Sequence, residues 1–230
     1  MPQEFAMRAI AHIRSDFAGK FGVPRQSGLV EDLEALVVFE PEFRNPAALR
    51  GLEGFSHIWL LWVFHQAARE TWSPTVRPPR LGGNARLGVF ATRSPFRPNP
   101  LGLSAVGLEA VELHTPQGPV LHVSGADLMD GTPIYDIKPY LPYADARPEA
   151  SAGFTGRVDR TRLAVDCPPA LLERVPPEKR AALLGVLAED PRPPYQDDPT
   201  RVYGMSFAGL EVRFTAAEGR LTVREIDGLS

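Results

Sequence analysis

Between Arg86 and Pro100 the chain reads Arg-Leu-Gly-Val-Phe-Ala-Thr-Arg-Ser-Pro-Phe-Arg-Pro-Asn-Pro. Each proline fixes its own φ and restricts the residue before it, so residues 94–100 must form a loop of set shape. That loop presents Arg93, Arg97 and Asn99, side chains suited to an anionic or polar ligand through charge-assisted hydrogen bonds. A stiff connector with two solvated arginines is the alternative reading. From Thr71 to Pro100 there are five arginines (77, 80, 86, 93 and 97) and no acidic residue, although the whole chain carries a net charge of −3. The block therefore predicts a local positive face on an acidic molecule, and the overall charge argues against non-specific coating of nucleic acid.

Other polar groups gather at turns. Pro24, Arg25 and Gln26 lie in a glycine-bounded loop, and His65 and Gln66 end an apolar, aromatic run that starts at Ser56. Residues 127–133 read Asp-Leu-Met-Asp-Gly-Thr-Pro, a turn signature, and are followed by Asp136, Lys138 and Tyr140 at strand spacing. A histidine at a strand end is more often a satisfied structural residue than a catalyst. Several chemistries find no support. There is no Gly-x-Gly-x-x-Gly after a strand, no phosphate-binding Gly-Lys-Ser/Thr loop and no Gly-x-Ser-x-Gly. His12, His57, His65, His114 and His122 lack metal-ligand spacing, and no metal site is expected. The single cysteine, Cys167, stands before two prolines near no evident base; it excludes an internal disulfide and fits a reducing cytoplasm. No secretory signal is visible, and the most apolar stretch, residues 58–64, is too short to span a bilayer.

The elements that must position these groups are mostly strands. Strands are expected at 6–14, 36–40, 56–66 (buried on both faces), 87–91, 103–113, 120–126 and 134–141. Asn45 followed by Pro46 predicts one or two helical turns. Short strands with hardly any helix indicate a β-barrel or sandwich. Composition shifts at 142–153, which divides the chain into residues 1–145 and a small α+β unit over 155–230. In the second unit we expect a strand at 156–166 and a helix over 169–187 broken at Pro176-Pro177. Residues 202–214 and 221–226 should form a terminal hairpin. From residue types alone, the chain is a β-rich binding or enzyme domain with an arginine-bearing loop.

Longer motifs say more. Pro24-Arg-Gln, Gly51-Leu-Glu-x-Phe-Ser-His-x-Trp, Phe64-His-Gln, the run from Arg77 through Pro100, Asp130-Gly-Thr-Pro, Asp136-Ile-Lys-Pro-Tyr-Leu-Pro and Asp190-Pro-Arg-Pro-Pro-Tyr together resemble the TrmO (YaeB or TsaA-like) family. The resemblance implies a mainly β protein: an antiparallel β-barrel methyltransferase domain, not a Rossmann one, with a small C-terminal α+β domain. It implies transfer of a methyl group from S-adenosylmethionine to N6 of threonylcarbamoyladenosine at tRNA position 37, and a cytoplasmic homodimer. The cofactor residues it implies are Pro24, Arg25, Gln26, His65, Gln66, Arg93, Leu103, Asp130, Gly131, Thr132 and Pro133. Given that activity, Asp136, Lys138 and Tyr140 are candidates for assisting the acceptor nitrogen or holding the threonyl carboxylate; a strand-edge ion pair is the alternative for the first two. Arg77, Arg80, Arg86 and Arg97 would receive the anticodon stem-loop. Arg192 and Tyr195 would add a phosphate contact and a stacking ring, or else serve interdomain packing. A non-catalytic S-adenosylmethionine sensor or RNA-binding regulator, or a methyltransferase of this fold with another substrate, are the competing functions.

Overall fold

The computed structural model describes residues 5–67, 71–78, 85–158, 160–193 and 198–229. Strands β1 (Ala11–Arg14), β2 (Glu34–Phe39), β3 (His57–Val63), β6 (Leu101–Thr115), β7 (Gly118–Ser124) and β8 (Pro133–Pro139) close into a barrel in the order β1-β2-β7-β6-β3-β8. Every pairing is antiparallel. Between β3 and β6 a two-stranded ribbon, β4 (Thr75–Val76) with β5 (Leu87–Gly88), stands apart from the barrel sheet. Closure removes the exposed edges that an open sheet of this composition would present.

Period-two patterning fills the barrel. Ile58, Leu60 and Trp62 of β3 point inward beside Ile13, Val37, Val106, Leu121 and Ile134. The opposite face of β3 is exposed at His57 and half-exposed at Trp59, Leu61 and Val63. The expectation of a strand buried on both faces therefore fails, because an antiparallel barrel covers only its inner face. A bulge in β8 matters for the site: Trp62 pairs with Ile134 but Leu61 pairs with Asp136, leaving Tyr135 as the extra residue. Ile134 and Ile137 both reach the core as a result, while Asp136 and Lys138 turn outward.

Residues 87–91 were expected as one buried strand. Only Leu87–Gly88 pairs, and Val89–Ala91 winds into a 3-10 turn. Val89 is buried there and its N–H bonds the Pro74 carbonyl (3.0 Å), so the aromatic at 90 is turned out. Residues 46–49 form the expected turn, with Asn45 accepting from the Ala47 N–H at 3.0 Å.

The second unit is a four-stranded sheet, β10 (Tyr203–Phe207), β11 (Leu210–Ala217), β12 (Arg220–Gly228) and β9 (Ala164–Asp166), in that order. It is covered by α2 (Pro169–Leu172) and α3 (Arg180–Ala188), broken between them as the prolines require; a short helix, α1 (Pro142–Asp145), precedes the unit. Two expectations change. Residues 153–157 form a 3-10 turn, and the strand begins only at Ala164. The terminal hairpin has three strands, because Ala208 (φ +50°) and Gly209 (φ +75°) both adopt the left-handed conformation of a tight hairpin turn. An alanine gives no warning of that.

The second core also takes Phe17, Val30 and Leu33, which lie between β1 and β2. Further ties cross the boundary: the Ala208 N–H bonds the Asp16 carbonyl at 2.9 Å, and Lys179 meets the Asp16 carboxylate at 2.9 Å. The two units are thus packed against each other by the same loop that carries Pro24, Arg25 and Gln26.

Candidate active site

The loop between β1 and β2, the rigid proline loop and the turn after β7 converge at one mouth of the barrel. An Arg93 Nη1–H donates to the Gln26 side-chain oxygen, and the Gln26 amide donates to the Arg25 carbonyl. Arg25 reaches the Arg192 carbonyl (3.2 Å), which ties this loop to the second unit. The proline loop is braced internally, since the Arg97 guanidinium donates to the Thr92 carbonyl at 3.0 Å.

Asp127 sits under this arrangement and was read from sequence only as a turn former. Its carboxylate accepts from the Ser104 hydroxyl at 2.5 Å, and the Ser104 oxygen accepts from the Trp62 indole N–H at 3.0 Å. Ser104 is 1% exposed and Trp62 is also buried, so the chain of bonds runs down into the barrel. Burial pushes the Asp127 carboxyl above its ordinary range, against the Ser104 hydroxyl, its own and the Ser27 backbone N–H groups and the Arg93 charge, which favour the ionised form. A desolvated carboxylate within the field of an arginine at a barrel mouth is a common sign of a binding site. The available signal was a lone serine in the inward register of an apolar strand, which needs a polar partner once buried.

Residues 130–133 clasp the end of β1. The Ser15 N–H donates to Asp130 at 3.0 Å, the Gly131 N–H to the Ile13 carbonyl at 2.8 Å, and the Thr132 hydroxyl to the Met129 carbonyl at 2.8 Å. Gly131 takes a φ of +74°, which explains a glycine there. Pro133 then starts β8. His65 and Gln66 are exposed turn residues just beyond β3, whose end is fixed by the Phe64 N–H to the Pro100 carbonyl (2.9 Å).

A second group lies on the outer face. Leu103 and Asp136 both pair with Leu61, on β6 and β8 respectively, so the three side chains share one row. Leu103 is 52% exposed. Asp136 and Lys138 form an ion pair at 2.8 Å, with 40% and 62% of their side-chain surfaces exposed. Tyr140 packs beside Trp59, ring centroids 5.6 Å apart. The strand-edge ion pair offered as the alternative for Asp136 and Lys138 is therefore present.

Of the RNA candidates, Arg77, Arg86 and Arg97 belong to the ribbon and the proline loop. Arg192 faces inward: its guanidinium bonds both Asp190 carboxylate oxygens at 2.8 and 2.9 Å and the Ala216 carbonyl at 3.3 Å, all within the second unit, and its backbone carbonyl takes the bond from Arg25 that crosses to the first. Arg80 and Tyr195 lie outside the described residues. Burial first, then Asp166, raises the Cys167 thiol, making a poor nucleophile.

Comparison with known proteins adds a name to this geometry. Residues 12–146 match the family model of the tRNA-methyltransferase O N-terminal domain, and residues 162–229 that of the TrmO C-terminal domain. The chain is 42% identical over 227 residues to the tRNA (adenine(37)-N6)-methyltransferase of Escherichia coli (strain K12), covering 95% of this chain and 96% of that protein. It is 41% identical over 222 residues to a Pseudomonas aeruginosa protein provisionally named an S-adenosylmethionine-dependent methyltransferase, RcsF, covering 89% and 90%. A crystal structure of TrmO from Pseudomonas aeruginosa superposes with a TM-score of 0.80 at 34% identity, over 98% of this chain and 99% of that one.

Proposed function

Because this chain belongs to the TrmO family, we propose that it is a tRNA methyltransferase that moves a methyl group from S-adenosylmethionine to N6 of the adenosine at position 37. The acceptor in this reading is the threonylcarbamoylated base. The observation that carries it is the Arg93–Gln26 bond at the barrel mouth, above the desolvated Asp127, which feels the Arg93 charge.

S-adenosylmethionine has a zwitterionic head, a sulfonium and an adenosine tail, and the residues at the mouth suit it. Arg93 would pair with the carboxylate and Asp127 with the ammonium. Asp130 is engaged with the Ser15 N–H, which leaves Asp127 as the carboxylate for the ammonium in this reading. Peptide groups of residues 24–26 and 130–133 would flank the adenosine, with His65, Gln66 and Leu103 at the rim. The bound cofactor supplies a methyl group already activated by positive sulfur. The protein's share is then mainly alignment, an effect worth up to about 7–11 kcal/mol. The acceptor nitrogen is urea-like and weakly basic. The Asp136–Lys138 pair and Tyr140 would orient the threonylcarbamoyl group, Lys138 through its carboxylate, and Asp136 would accept the hydrogen bond of the acceptor N–H.

Two copies would complete the site. Leu103 and its neighbour Leu101 are exposed apolar residues on the outer face of β6, beside the cofactor rim. A homodimer covering them would shield the methyl donor; light scattering on the purified protein reads its mass directly. Among the described residues no helix is long and apolar enough to cross a membrane, and in this reading the enzyme meets its tRNA in the cytoplasm.

Asp127→Asn separates binding from stability. The folded pKa of Asp127 is raised, so the native state holds the proton more tightly than the unfolded chain. The stability contribution of this group is complete at low pH and is lost as pH rises through the folded pKa. At neutral pH the variant should therefore unfold no more easily than the wild type in denaturant titration. Its affinity for S-adenosylmethionine, read by calorimetry, should fall about tenfold or more for loss of one charge-assisted contact. The function itself is tested in cells. Deleting the gene should abolish N6-methylated threonylcarbamoyladenosine from digested tRNA, and the wild-type gene, but not Arg93→Ala, should restore it. An unchanged nucleoside profile after deletion would refute the proposal.

A further inference from the structure

The exposed aromatic pair on the β4–β5 ribbon is not used by the site described above. Trp72 and Phe90 flank the ribbon, their rings stacked with centroids 6.1 Å apart and planes inclined by 29°. They are 49% and 71% exposed, respectively. The Arg97 guanidinium carbon lies 6.0 Å from the Phe90 ring centroid, within cation–π range. This array is held, not draped. Val89 is buried next to Phe90, its N–H bonds the Pro74 carbonyl, and Arg97 is fixed on Thr92.

We propose that Trp72 and Phe90, with Arg97 across the second ring, form a stacking platform for an unpaired base of the anticodon loop. The proposal rests on the tRNA reading above and names the surface that would hold the loop open. Two stacked rings and a guanidinium plane present the surface on which splayed bases are held, and a base would extend a stack already two rings deep. The surrounding charge points to RNA over a second copy of the chain: no acidic residue lies between Thr71 and Pro100, so a self-complementary contact here would set arginine against arginine. Phe90 stands three residues before Arg93, which joins the platform to the proposed cofactor site. A base stacked on it would sit beside the one presented for methylation.

The test uses the full-length protein and an unmodified anticodon stem-loop oligoribonucleotide, with the same stem closed as a blunt duplex for comparison. Adding the stem-loop should quench Trp72 fluorescence, a change absent from Trp72→Phe, in which Trp59 and Trp62 remain. Phe90→Ala and Trp72→Ala should each weaken stem-loop binding about tenfold, the range for loss of one base–aromatic stack, and leave duplex binding and S-adenosylmethionine affinity unchanged. Both side chains are solvent-facing, so the variants should keep the wild-type melting temperature. Unchanged stem-loop affinity in both variants would overturn the proposal. So would loss of the dimer with RNA affinity preserved, which would assign the surface to a second copy. The readout needs no methyl transfer, so a platform that binds the loop in a protein that fails to methylate tRNA would stand while the proposed activity fell.

Discussion

Arg93→Ala is expected to lower kcat/KM for methyl transfer by about 100- to 1,000-fold with little effect on folding. In this account Arg93 bonds the Gln26 loop and puts its charge within range of Asp127. Truncating it removes the partner of the cofactor carboxylate and leaves a desolvated Asp127 without its neighbouring charge. Losses of this kind cost about 3–4 kcal/mol, mid-range for a truncated charge contact, and each 1.36 kcal/mol is tenfold in rate. Lysine should recover little of the loss, since an ammonium cannot reproduce the planar fork that serves a carboxylate and the Gln26 oxygen together. The loss should fall mainly on the KM for S-adenosylmethionine if Arg93 only binds, and on kcat as well if it also sets the methyl group in line. Because the residue lies in a loop braced by Pro95, Pro98, Pro100 and the Arg97–Thr92 bond, thermal denaturation should be nearly unchanged.

Gly102→Ala is expected to damage both stability and activity. Gly102 pairs with Trp62 across β3 and β6, and a Cβ at this position would overlap the Trp62 indole. The ring is buried in the barrel and cannot swing into solvent without opening it. Overpacking of this kind costs about 1–3 kcal/mol. Displacing the indole also breaks its bond to Ser104, at about 1 kcal/mol for a buried hydrogen bond. A total near 3 kcal/mol should appear as a lower denaturation midpoint in urea. Activity should fall beyond what the unfolded fraction explains, because Trp62, Ser104 and Asp127 form one chain of bonds beneath Arg93. A Trp62→Phe, Gly102→Ala double variant should regain part of the stability through the smaller ring, but not the bond to Ser104.

The barrel strands were legible because an antiparallel sheet with one buried face writes a period of two, as in Ile58, Leu60 and Trp62. What escaped were features with no period. The third strand of the terminal sheet was hidden because its turn runs through Ala208, a residue with no preference for positive φ. The bulge at Tyr135 follows from pairing with β3, which local pattern cannot register. A change in composition suggested a division near residue 150. The insertion of Phe17, Val30 and Leu33 into the second core was not visible, since apolar residues do not say which core they join. The arginine loop was visible from its prolines, and its ligand came from resemblance. Asp127 read as a turn residue until Ser104 and Trp62 were found bonded in line beneath it.

The most direct measurement is transfer of labelled methyl from S-adenosylmethionine to two anticodon stem-loops that differ only in position 37, one with threonylcarbamoyladenosine and one with adenosine. The account predicts label on N6 in the first and none above background in the second, with the wild-type signal lost in Arg93→Ala. Tight S-adenosylmethionine binding with no label in either stem-loop, or equal label in both, would contradict it.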